Sequence, residues 1–150
     1  MNRITRALTV LSLAAMPLFS AVAQADDEDT IAYRKHIMKT LDEQTNAIGM
    51  ILSGVIPDDN LQLHMDAIAT TAAMALRSFE PNVPGGDSKP EVWSNWEDFS
   101  ARMTDFEKKT ANMARVAREE GPENAGELAI EALDCKSCHK LYNSKRSDDE

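Results

Sequence analysis

Aromatic residues are scarce in this chain, two Trp, two Tyr and four Phe in 150 residues. Helices and methionine-rich seams alone would therefore pack only a modest core. Cysteine is scarcer still, with Cys135 and Cys138 the only two, so no disulfide framework holds the chain together. Three histidines leave little material for a closed zinc site. Basic residues are outnumbered, 16 against 25 acids, giving a formal net charge of −9. That balance argues against nucleic acid, whose phosphates would be repelled. It suits a partner with a basic docking face, or serves solubility alone.

The mature chain also lacks any run long and apolar enough to span a bilayer. The single apolar stretch, Leu8 to Val22, follows Arg3 and Arg6 and ends at Ala23-Gln24-Ala25. A short apolar core behind a positive start and before small residues is a secretory signal peptide. Residues 1–25 are thus expected to be removed, leaving one domain, 26–150, of about 125 residues in the bacterial periplasm. Losing Arg3 and Arg6 and no acid takes the charge from −9 to about −11.

What the chain does have is Cys135-Lys136-Ser137-Cys138-His139 near its C-terminus. Cysteines three apart lie one helical turn from each other, and His139 follows four after Cys135 on nearly the same face. Two thiols can then bond the edge of one porphyrin while an imidazole stands under it. Cys-x-x-Cys-His is the attachment pattern of c-type haem. Other readings explain less. A thioredoxin-type pair needs a βαβ setting, and zinc would have only His36, His64 and carboxylates to draw on. A disulfide would leave His139 unexplained. The motif reads as one covalent haem c in a monohaem cytochrome.

Apolar periodicity predicts four helices. Ile31, Met38, Leu41, Ile48 and Leu52 stripe the first, with Thr45 as a small member, and Gly54 and Pro57 end it. Asp58, Asp59 and Asn60 offer N-caps for the second, striped by Leu61, Met65, Ile68, Ala72, Leu76 and Phe79. A loop over 80–90 carries Pro81, Pro84, Gly85, Gly86 and Pro90. The third helix takes Ser88 as N-cap and runs through Trp93, Trp96, Met103, Phe106, Thr110, Met113 and Ala117 to a stop at Gly121-Pro122. The fourth runs from about Glu123 to Tyr142, with Leu128, Ala132 and Cys135 inward. No segment alternates as a strand. The fold class is all-α, an antiparallel up-and-down four-helix bundle in which the haem supplies the missing apolar bulk.

A haem motif on the last of four helices, with Tyr33-Arg34-x-x-x-Met38 on the first and Gly85-Gly86-Asp87-Ser88-Lys89-Pro90-Glu91-Val92-Trp93 before the third, resembles the cytochrome c′ family. These are the class II cytochromes c, including the low-spin cytochrome c-556 branch. The resemblance covers essentially the whole mature chain. It implies that Cys135 and Cys138 hold the haem by thioethers and that His139 is the proximal iron ligand. It also implies that the first helix supplies the residue over the opposite face, by position Met38. Arg34, four residues before Met38, shares its helix face and is placed to reach a haem propionate.

If Met38 binds iron, the centre is closed and low-spin, suited to passing single electrons, and no bond-making catalysis is expected. If Met38 only walls the pocket, the open site is that of the high-spin branch, which takes NO and CO. Methionine at seam spacing also often serves only as core. The family commonly carries a basic residue four after the proximal histidine. Asn143 stands there, with Lys145 and Arg146 beyond it. Val83-Pro84 also replaces polar residues often found near a propionate.

His36, about 200° around the helix from Met38 at ~100° per residue, is expected to face solvent. His64 is expected at an interface or the surface, and Tyr142 and Trp93 in the core or at its edge. The tail, Ser144 to Glu150, is expected to be mobile. The resemblance further implies a homodimer through the first two helices, with Met50, Leu63 and Leu76 as either interface or core residues. The redox partner is not specified by the sequence.

Overall fold

The computed structural model describes residues 25–145, so the signal-peptide expectation and the end of the tail lie outside the described residues. It has helices α1 (Asp27–Leu52), α2 (Leu61–Ala75), α3 (Glu91–Ser94), α4 (Trp96–Glu120), α5 (Gly126–Ala132) and α6 (Cys135–Tyr142). Among the described residues no strand forms, only isolated bridges pairing Ser88 with Gly85 and with Asn143. No described helix is long and apolar enough to cross a membrane. The architecture is the all-α four-helix bundle, with α1, α2 and α4 as long members and the fourth built from α5 and α6.

Local chemistry sets the ends. Asp26 caps α1 by accepting the Asp29 amide at 2.8 Å, and Asp27, Glu28 and Asp29 place acids where the helix dipole favours them. Gly54 at φ 74° and Gly121 at φ 98° take left-handed conformations just beyond α1 and α4. The expected caps from Asp58, Asp59 and Asn60 differ. These residues form a short 3₁₀ turn, and Asn60 makes no side-chain cap bond to α2. Ser88 does not cap α3 either, since its hydroxyl accepts from Arg34 instead.

The core forms where α1, α2 and α4 meet. Ile48, Leu61, Met65, Ile68, Met113 and Thr110 are essentially sealed from solvent. Thr110 satisfies its hydroxyl on the Phe106 carbonyl at 2.9 Å. On α1 the buried set is wider than the predicted stripe. Arg34, Ile37, Leu41, Ile48 and Ile51 are buried, while Leu52 is 42% exposed and Ile31 and Met38 are half-buried. A helix packed on neighbours at one side and bordering a cavity at another has two inward directions.

Two predicted helices are interrupted. The third breaks at Asn95 (φ −123°, ψ 47°), separating α3 from α4. The fourth breaks at Leu133 and Asp134, where the Cys135 amide bonds back to the Leu133 carbonyl at 2.8 Å. The second break immediately precedes the haem motif, and the first faces Tyr142 at the far end of α6.

Candidate functional site

The motif forms its own short helix, α6, and lays Cys138 and His139 against a cavity of about 440 Å³. Met38 and Arg34 from α1, Phe99 and Met103 from α4 also line it. A neighbouring cavity of about 280 Å³ is bordered by Cys135 and Cys138. The two share Met38, Asp42, Met103, Cys138 and His139, so they are halves of one slot between α1, α4 and α6. The residues singled out from sequence therefore meet at one place: Cys135, Cys138, His139, Met38 and Arg34.

The loop over 80–90 closes one end. Gly85 and Gly86 have φ of 132° and 64°, and a Cβ on either would lie 3.0 Å from an Ile31 side-chain carbon. Only glycine permits both that backbone and that approach to α1. The loop is tied to Arg34, whose Nη2 donates to the Val83 carbonyl at 2.9 Å and Nη1 to the Ser88 hydroxyl at 3.3 Å. Val83 thus contributes through its backbone.

Arg34 is 3% exposed and lies between the Phe79 and Trp93 rings, its guanidinium carbon 5.0 Å from each centroid. Its Nε is buried with no hydrogen-bond partner. Burial pulls its pKa below the ordinary arginine value. A buried cation with donor capacity to spare, on the wall of a cavity, is placed for an anion. The Trp93 indole N–H donates to the Phe79 carbonyl at 2.9 Å, which holds the sandwich together.

Sequence reasoning missed the cluster behind α6. Asp98 on α4 receives Arg102 Nε at 2.6 Å and the Tyr142 hydroxyl at 2.5 Å. Asn95 Nδ2 donates to the same tyrosine oxygen at 3.2 Å. The Tyr142 ring packs edge-on to Phe99 with centroids 5.1 Å apart. Arg102 and Tyr142 draw the Asp98 carboxyl below its ordinary range. Burial, then Asp98, pushes the Tyr142 phenol up. Burial also raises the Cys138 thiol, with Arg102 pulling the other way. The available signal was the spacing of Asp98 and Arg102, an i, i+4 pair on α4.

His36 is exposed. His64 lies between α1 and α2, its Nδ1 2.6 Å from Gln44 Oε1, and borders neither cavity. Tyr142 is buried and Trp93 half-buried against the core. Met50 and Leu63 are 47% and 63% exposed, whereas Leu76 packs on the core.

The donor set suits a haem c. Two thiols one turn apart, an adjacent imidazole and a facing thioether border a largely apolar slot, with a buried cation at its far wall. Cys135 and Cys138 are not joined to each other. Among the described residues no three His, Cys, Asp or Glu side chains gather to hold a bare metal ion.

Known proteins agree with this geometry. Residues 29–143 match the family described as Cytochrome C′. Cytochrome c′ of Rhodopseudomonas palustris is 31% identical over 147 residues, covering 95% of this chain and 98% of its own. That of Alcaligenes xylosoxydans is 24% identical over 131 residues, covering 81% and 98%. Among solved structures, cytochrome c prime from Shewanella frigidimarina superposes with a TM-score of 0.69 at 23% identity, covering 81% and 98%. A nitric oxide complex of a variant of cytochrome c prime from Alcaligenes xylosoxidans gives 0.69 at 22%, with the same coverage. These two likenesses bear on the fold, and the family match over 29–143 bears on the cofactor. The chain belongs to the cytochrome c′ family and carries a covalently attached haem c.

Proposed function

We propose that the protein is a periplasmic one-electron carrier that makes and breaks no substrate bonds. Cys135 and Cys138 would hold the haem by thioethers, and His139 and Met38 would offer an imidazole and a thioether to its iron. The observation that carries this reading is that Met38 and His139, from helices far apart in sequence, both line both halves of one slot. The bound haem supplies a one-electron couple at its iron.

The chain's own residues do the rest. Met38, half-buried and packed against the core, keeps a thioether in the slot and small molecules out. Arg34 offers its unused Nε and fixed positive charge to a propionate, which favours the reduced, less positive state. Asp98 and Tyr142 fix the end of α6 that follows His139.

The test is the optical spectrum of ferric and dithionite-reduced holoprotein, before and after CO. Sharp, split α and β bands that ignore CO are expected. A broad high-spin spectrum that shifts with CO would make Met38 a pocket wall instead. A second reading would then lead, NO and CO binding at an open site. Its support is that solved relatives include nitrosyl complexes, one of them covering 79% of this chain.

Export through the leader, and pairing of two copies through α1 and α2, complete the proposal. The exposure of Met50 and Leu63 supports the second point. Sedimentation of holoprotein at micromolar concentration tests it, and a clean monomer removes it.

A further inference from the structure

The slot has two mouths of opposite sign. The 440 Å³ half is bordered by four basic side chains, Arg34, Lys35, Lys39 and Lys145, against two acids, Asp42 and Asp87. The 280 Å³ half reverses this, with Arg102 and Lys109 against Asp42, Asp105, Glu131 and Asp134. A basic mouth is unexpected on a chain of net charge −9.

Two of its three lysines have no carboxylate partner among the described residues, unlike Lys145 at the same rim. Arg102, Lys109, Arg115, Arg118 and Lys145 each pair with a carboxylate. Lys35 and Lys39 form no ion pair among the described residues, and both are exposed. They stand four apart on α1, where like charges repel along one helix face. The Lys35 stem is held over Gly86, its Cε 3.0 Å from where a Cβ would be. Beyond the rim, Lys89 Nζ donates to the Lys140 backbone carbonyl at 3.3 Å, adding one more cation near this face. Two haem propionates would offset the two-charge excess of the lining side chains, leaving Lys35 and Lys39, with Lys89 beyond them, as the positive charge presented at the rim.

We propose that this basic mouth is the electron-exchange face and that it docks an acidic surface of a redox protein. The inference rests on the electron-transfer reading above. Local charge at the point of exchange, rather than net charge, then steers the encounter. The exchange itself moves one electron from the reduced haem to the oxidant and makes or breaks no bond.

The sign of the salt dependence tests it. Reduced holoprotein is oxidised in separate stopped-flow series by anionic hexacyanoferrate(III) and by cationic tris(phenanthroline)cobalt(III), across a range of ionic strength. The hexacyanoferrate rate is expected to fall as salt rises, although the whole protein is negative, and the cobalt rate to rise. Lys35→Glu/Lys39→Glu should lower the hexacyanoferrate rate several-fold at low salt and reverse its slope. Arg115→Glu, on α4 away from the slot, should leave that slope unchanged.

A hexacyanoferrate rate that rises with salt in the unaltered protein overturns the proposal while electron transfer stands. So does a lysine variant that keeps the original slope but shifts the haem spectrum, which would assign these lysines to the propionates. Failure of both oxidants to react would remove the electron-transfer reading together with this one.

Discussion

At one end of the bundle Ile48, Leu61, Met65, Ile68 and Met113 are each no more than 2% exposed, on helices that run unbroken. At the other end Met38, Cys135, Cys138 and His139 are only half-buried, both helix breaks occur, and cavities of about 440 and 280 Å³ adjoin. The difference separates two tasks. Side chains alone complete the first region, as close packing requires. The second is a shaped wall whose packing is finished by a group bonded to it. Stability is concentrated in one half and chemistry in the other.

The sharpest way to break that contrast is to remove the bond. Cys135→Ala/Cys138→Ala should abolish covalent haem, seen as loss of the haem-stained band after denaturing electrophoresis. Near-UV CD and melting cooperativity should collapse with it, because the motif half then lacks its filling. A native-like CD spectrum and a cooperative melt would show that the second region packs alone.

Next in size is a cut in the complete half. Ile68→Ala should cost about 2–5 kcal/mol in chemical denaturation, the range for truncating a sealed core residue, with little change in the haem spectrum. Arg34→Met should act on the haem as well as on the loop it ties. It should lower the reduction potential by on the order of 50 mV, since removing a nearby cation disfavours the reduced state. An unchanged potential would confine Arg34 to holding the loop.

The smallest expected effect is a pH dependence. The folded Asp98 value lies below its ordinary 3.8, chiefly through Arg102 and then Tyr142. Its contribution is complete above the ordinary value and disappears as pH falls through the folded one. Asp98→Asn should flatten part of the acid-side fall in melting temperature. Tyr142 has the opposite sign. Its raised value gives a contribution present below its ordinary 10.0 and lost as pH rises through the folded value. Tyr142→Phe should flatten the alkaline limb.

Much of this was legible in the residues. Cys135, Cys138 and His139 announce the cofactor because thioether and axial ligation need those atoms at helical spacing. Leu61, Met65 and Ile68 announce the core because a helix facing one neighbour has one apolar stripe. Reading failed where a residue served two directions. Ile37 and Ile51 fell off the single stripe drawn on α1, whereas Arg34, placed by its spacing on the inward face with Met38, is buried there. The break at Asn95 was invisible because its cause is distant. The Trp93 indole is drawn to Phe79 and the Asn95 amide to Tyr142, contacts at separations of 14 and 47 residues.

The break at Leu133 and Asp134 leaves α6 only eight residues long. A helix that short has negligible stability by itself in water, so it is helical because it is docked. The long helices can associate while Cys135 to His139 still hangs as open chain, accessible to whatever forms the thioether bonds. Docking of α6 would then close the molecule like a latch.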